Sequence, residues 1–135
     1  MQKILVVDDE LDVRDAVKRV LERAGYAVYT ADNAVDALAE LERIAMDVVI
    51  TDIIMPKING VQLIESIVRS FPSVRIVAIS GGGNFGVTAY QPSAITTTAY
   101  LVAAEKAGAH SALTKPFESV DLIQAVEHVL GVGHA

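Results

Sequence analysis

Asp8 and Asp9 follow an apolar run, Ile4–Val7; Asp52 follows another, Val48–Thr51; Ser80 closes Arg75–Ile79; Lys115 follows Ser111–Thr114. More than a hundred residues separate the first of these polar groups from the last, so they can act together only if the fold gathers them. Three neighbouring carboxylates repel: at about 4 Å and an effective dielectric near 20, each pair costs on the order of 4 kcal/mol before relaxation. The Lys115 ammonium offsets part of that charge. A hard divalent cation offsets the rest, and magnesium, or manganese with the same kind of ligand, suits a site of carboxylates, waters and a phosphoryl oxygen. A carboxylate can itself attack phosphorus and form an aspartyl phosphate when metal and ammonium neutralise the group in transit. Asp52 is the best placed nucleophile, because it stands alone at the end of the most buried-looking strand.

The elements between these residues must bring them to one edge. Strand-length apolar runs alternate five times with stretches whose apolar residues recur at helical spacing, the pattern of a parallel sheet with crossover helices. The predicted strands are Ile4–Val7, Ala27–Thr30, Val48–Thr51, Arg75–Ile79 and Ser111–Thr114. Most are rich in Val and Ile without polar alternation, as strands covered on both faces are. Inner helical stripes read as Val13, Val17, Val20 and Ala24; Ala34, Leu38, Leu41 and Ala45; Val61, Ile64 and Val68; and Ile123, Val126 and Leu130. Ser119 is placed as a cap of the last helix and Gly131 as its stop. The stretch Gly81–Gly108 is the least regular; it predicts a helix over Ala94–Ala107, capped by Ser93, with Thr96–Thr98 weakening its first turn. Ligands of an open parallel sheet bind beyond the carboxyl ends of its strands, where all five polar residues fall.

Composition narrows the classes of function. The 135 residues suit one domain, 1–135, with 52 % hydrophobic residues but no apolar run of membrane-spanning length. No signal peptide precedes the first strand, and a cytoplasmic location with no membrane insertion is expected. The absence of cysteine excludes disulfides and thiolate chemistry. Seventeen acidic against eleven basic residues, with no basic cluster, argue against direct nucleic-acid binding. Gly81–Gly83 lacks the Gly-Lys-Ser/Thr that would make it a nucleotide loop and reads as a flexible loop. His110, His128 and His134 show no metal-ligand spacing and read as surface residues.

Asp8-Asp9 after an apolar strand, Asp52-Ile53-Ile54-Met55-Pro56 with Gly60 following, Ser80 ending a strand, and Lys115-Pro116-Phe117 together resemble the motif set of receiver domains of two-component response regulators. Each motif is weak alone; five in order at the right strand ends, over essentially the whole chain, are specific. The resemblance implies a flavodoxin-like α/β fold, a five-stranded parallel sheet of order 2-1-3-4-5 with five helices on both faces. It implies that Asp52 is the phosphoacceptor, that Asp9 binds the metal directly and Asp8 mainly through water, and that Asp52 and the Ile54 carbonyl complete the metal set. Ser80 and Lys115 would contact phosphoryl oxygens, the backbone N–H groups of Ile53 and Gly81 would help, and Lys115-Pro116 would be cis. The phosphoryl donor would be a sensor histidine kinase or a histidine phosphotransfer protein. With no output domain attached, the effect would pass through an unknown downstream protein.

The chain also departs from the family pattern. Ala112 stands where an aromatic residue usually rotates inward on activation, and the segment between Ser80 and Lys115 is longer than usual. Ile54 and Gly82 hold the positions that tune loss of the phosphoryl group, and neither can orient a water with its side chain; slow self-dephosphorylation is expected. A degenerate receiver, never phosphorylated, is the main alternative; the missing aromatic favours it and the intact acidic and lysine set opposes it. A phosphatase using Asp52 would need an acid at position 54, which is Ile54, and a flavin protein of this topology would be yellow. No enzymatic activity is expected beyond phosphorylation and dephosphorylation of Asp52 itself.

Overall fold

Val and Ile give the apolar runs their preference for extended backbone, and five strands form: β1 Lys3–Val7, β2 Ala27–Ala31, β3 Val48–Asp52, β4 Arg75–Ser80 and β5 Ser111–Thr114. The computed structural model describes residues 1–53, 60–80 and 102–131. All strands pair in parallel in the order β2-β1-β3-β4-β5, the expected flavodoxin-like order. The helices are α1 Leu11–Arg23, α2 Ala34–Arg43, α3 Gly60–Ser70, the helical residues 102–107 as α4, and α5 Ser119–Gly131. The predicted first part of the fourth helix, 94–101, lies outside the described residues.

Side chains alternate across the sheet and divide the core into two layers. Ile4, Val6, Val48, Ile50, Val77 and Ile79 pack against α1 and α5, while Leu5, Val7, Val49, Ile76 and Ala78 pack against α2, α3 and α4. The central β3 is buried along its whole length, whereas the outermost β2 and β5 are only partly covered.

The predicted stripes face the core, with Val17, Ala34, Leu41, Ile64 and Val126 buried and Val13, Val20, Leu38, Val61 and Leu130 packed against it, but the buried faces are wider than those positions. Leu21 rather than Ala24 is buried in α1, Ala37 rather than Leu38 in α2, Leu63 and Ile67 flank Ile64 in α3, and Leu122, Ala125 and Val129 join Val126 in α5. Ala45 lies beyond the end of α2. Val102 and Lys106 of α4 are exposed and Ala104 is the buried residue. The reason is shared: the apolar face of a sheet-covering helix is wider than one stripe, so neighbouring rows both reach the core. Ser119 is the first helical residue of α5 and not its cap; the Glu118 N–H donates to the Asp121 carboxylate at 3.0 Å. Gly131 ends α5 from within.

His110 corrects another expectation. It is partly buried beside β4, where its N–H donates to the Ile76 carbonyl at 2.8 Å and its Nδ1 accepts the Ile76 N–H at 3.0 Å. The imidazole thus takes the place of a ladder carbonyl at the start of the β4–β5 pairing. Spacing could not reveal this, because the partner is a backbone group 34 positions away. Burial, and then the charge of Arg75, lower its pKa from the ordinary 6.5. A proton on Nδ1 would remove the acceptor and set two donors against each other. This contribution to stability is therefore complete above about pH 6.5 and is lost as the pH falls through the depressed folded value. Urea unfolding of the native chain and of His110→Ala across about pH 5 to 7.5 should show a loss at the acid end that the variant lacks. The variant should be less stable throughout by about 1–3 kcal/mol, for the unpaired Ile76 N–H. Parallel pH profiles would refute the linkage.

Candidate functional site

β1, β3, β4 and β5 end at the same edge of the sheet, and each delivers a polar residue there. Asp8 follows β1 and is held on three sides: its N–H donates to the Ala31 carbonyl, its carbonyl accepts from the Arg14 guanidinium at 2.8 Å, and its Oδ1 accepts from the Glu10 N–H at 2.9 Å. Asp52 is the last residue of β3, in register with Ile79. Ser80 is the last residue of β4 and pairs with Thr114. Lys115 follows β5, and its N–H donates to the Ser80 carbonyl at 2.8 Å. The Lys115-Pro116 bond is cis, as expected.

The three aspartates predicted to act together do meet. Carboxylate oxygens of Asp8, Asp9 and Asp52 lie within 4.8 Å of one another, with Asp8 and Asp52 buried and Asp9 exposed. Lys115 Nζ lies 3.3 Å from Asp52 Oδ2, 3.6 Å from Asp8 Oδ2 and 3.6 Å from Glu10 Oε1. Glu10 was not among the residues singled out from the sequence. The available signal was its place as the third acid in the run Asp8-Asp9-Glu10.

Three carboxylates around one ammonium, with Asp9 beside two of them, leave the pocket strongly negative. Burial is the main cause that raises the Asp8 pKa above the ordinary value; the Glu10 N–H and Lys115 oppose it, and the charges of Asp9 and Glu10 add to it. Burial acts to lower the Lys115 pKa, but the charges of Asp52 and Asp8, the hydrogen bond to Asp52 and the charge of Glu10 together outweigh it and hold the ammonium above its ordinary value. The donor set fits a hard divalent cation: clustered carboxylate oxygens, excess negative charge and one face exposed through Asp9. It also fits an oxyanion. Ser80 Oγ is fully buried and has no hydrogen-bond partner among the described residues, which for a buried hydroxyl costs about 1–3 kcal/mol.

Two backbone groups assigned from the sequence fare differently. The Ile53 N–H donates to the Ile79 carbonyl at 2.9 Å, so it is directed into the sheet and not to the pocket. The ladder runs one residue further than the predicted strand end at Thr51, and that extension uses the amide. Ile54 and Gly81, like Gly82, lie outside the described residues. Gly60 has a structural role at this edge: its N–H donates to the Ile53 carbonyl at 2.7 Å, and a Cβ there would overlap the Asp52 carbonyl oxygen and Ile53 Cα. The first turn of α3 thus rests directly on the backbone that carries Asp52.

A family model described as the response regulator receiver domain matches residues 4–127. The chain is 30 % identical over 130 residues to the response regulator receiver protein CpdR of Brucella abortus, covering 96 % of this chain and 98 % of that one. It is 35 % identical over 129 residues to the nitrogen assimilation regulatory protein NtrX of Azorhizobium caulinodans, covering 94 % of this chain but only 26 % of that protein. The crystal structure of the receiver domain of NtrX from Brucella abortus superposes with a TM-score of 0.82 at 33 % identity, covering 96 % of this chain and 99 % of that domain. With this sheet order and this acidic edge, the chain belongs to the receiver domains of two-component response regulators. Among the described residues no helix is long and apolar enough to cross a membrane.

The charge balance has a measurable consequence. In urea unfolding without divalent ions, Lys115→Met should cost about 3–5 kcal/mol, because it strands buried carboxylates. Asp52→Asn should be neutral or stabilising, because it removes one of the charges that repel. Equal losses in the two variants would show that repulsion does not govern the site. Gly60→Ala should cost about 1–3 kcal/mol through the forced shift of α3 against β3, and a variant as stable as the native chain in the same assay would rule out the close approach.

Proposed function

We propose that Asp52 accepts a phosphoryl group from a phosphohistidine of a sensor histidine kinase or a histidine phosphotransfer protein, with magnesium or manganese as the cation. The observation that carries this is a buried carboxylate 3.3 Å from a partly buried ammonium, inside a cluster of further carboxylates at the rim of a parallel sheet. Asp8, Asp9, Asp52 and the Ile54 carbonyl would hold the cation, which when bound neutralises charge on the transferring group and orients its oxygens.

The chain's own residues do the rest. An Asp52 carboxylate oxygen forms a bond to phosphorus while the donor's N–P bond breaks; the imidazole leaves with the electron pair, and any proton it takes up comes from solvent. Lys115 then exchanges a carboxylate partner for a phosphoryl oxygen without leaving the pocket. The Ser80 hydroxyl donates to another phosphoryl oxygen and gains the partner it lacks among the described residues. Both contacts exist only when Asp52 is modified, so they favour a second conformation that a downstream protein can read. On this reading the chain is a cytoplasmic signalling acceptor and not an enzyme acting on another molecule. The rival, a receiver that only binds proteins, draws on Ala112 at the usual aromatic position.

Intact-mass measurement after incubation with acetyl phosphate and magnesium should show one added phosphoryl group on the native chain and none on Asp52→Asn. After removal of the donor the added mass should decay slowly, in keeping with Ile54 and Gly82 at the tuning positions. No gain by the native chain, or equal gain by the variant, refutes the assignment and leaves the protein-binding reading in place.

A further inference from the structure

Glu10 occupies the N-cap of α1, yet its side chain makes no capping hydrogen bond. The side chains that cap well are the shorter Ser, Thr, Asp and Asn, so the longer Glu10 carboxylate is not drawn to the first turn and can reach elsewhere. Glu10 Oε1 instead lies 3.6 Å from Lys115 Nζ, as close as Asp8 Oδ2. Its own N–H is bonded to Asp8 Oδ1, which fixes the backbone from which the side chain reaches. The side chain keeps 39 % exposure, against 3 % and 4 % for Asp8 and Asp52. Of the three carboxylates around the ammonium, it is the one open to the solvent from which a phosphodonor arrives. Arg14, one turn along α1, donates to the Asp8 backbone carbonyl.

We propose that Glu10 is a positioning residue that holds Lys115 in the resting pocket and competes with the incoming phosphoryl group for it. This rests on the phosphoacceptor reading of Asp52. Glu10 lies outside the cluster of Asp8, Asp9 and Asp52 whose oxygens could share an ion. Its charge therefore acts at short range but not as a ligand, and with opposite sign on the two species the pocket takes: it draws the cation in and resists the anion. A residue that merely kept the loop in shape would, when replaced, weaken both.

The test is Glu10→Gln, with Glu10→Asp as the variant that keeps the charge. Calorimetric titration with magnesium chloride alone should show binding weakened about two- to fivefold in Glu10→Gln, a range set by a partly exposed ion pair, with most of the affinity restored in Glu10→Asp. Intact-mass time courses with acetyl phosphate at saturating magnesium should show Glu10→Gln labelled about two- to fivefold faster than the native chain. Unchanged magnesium affinity overturns the proposal, as does a fall in both affinity and labelling rate. If no version is labelled, the phosphoacceptor reading fails and the competition with it. If the native chain is labelled but Glu10→Gln labels no faster, only the role of Glu10 fails.

Discussion

The Lys115 ammonium lies within 3.6 Å of three carboxylates, two of them buried, and a fourth, exposed one joins the cluster. Such a pocket is not built for stability. A buried ion pair gains little over well-packed apolar residues, and surplus carboxylates make the balance worse. The ammonium is what makes the aspartate cluster tolerable in the resting protein, and it is also what the cluster must share for an anion to enter. The same charge that holds the resting cluster together is the one a cation or an oxyanion would have to share.

The fold supplies the rigidity that this arrangement needs. β3, which carries Asp52, is buried from end to end and lies between β1 and β4, so the carboxylate cannot retreat to water by local fraying. The Ile53 amide extends the ladder beyond Asp52, and Gly60 lets α3 sit against the same backbone. Asp8 is fixed through its amide, its carbonyl and its side chain. Burial of a group so tightly held is not relieved by movement, and this, with a smaller addition from the charges of Asp9 and Glu10, keeps the Asp8 pKa raised even with Lys115 beside it.

Much of this was legible in the sequence. Strand positions followed from Val- and Ile-rich runs, and the gathering of Asp8, Asp9, Asp52 and Lys115 followed from where those runs end. The errors have physical causes. Strand ends were placed at the last apolar residue, whereas pairing continues through Asp52 and Ser80 because backbone hydrogen bonds do not depend on side-chain polarity. This is why the Ile53 amide was assigned to the pocket. The helical stripes were read too narrowly, because neighbouring rows of apolar residues both face the core. Glu10 and His110 were missed because their roles depend on partners far along the chain, one an ammonium and the other a backbone amide.

The hydrogen bond from the Lys115 N–H to the Ser80 carbonyl joins the two residues that would grip an oxyanion from either side. Because the tie is between main-chain groups, neither residue can be carried outward with its strand while the other stays in place. The Ser80 hydroxyl at the end of β4 and the Lys115 ammonium just past β5 are thus tied together across the pairing with an outermost strand of only four residues. A displacement of that strand would register at both contacts at once.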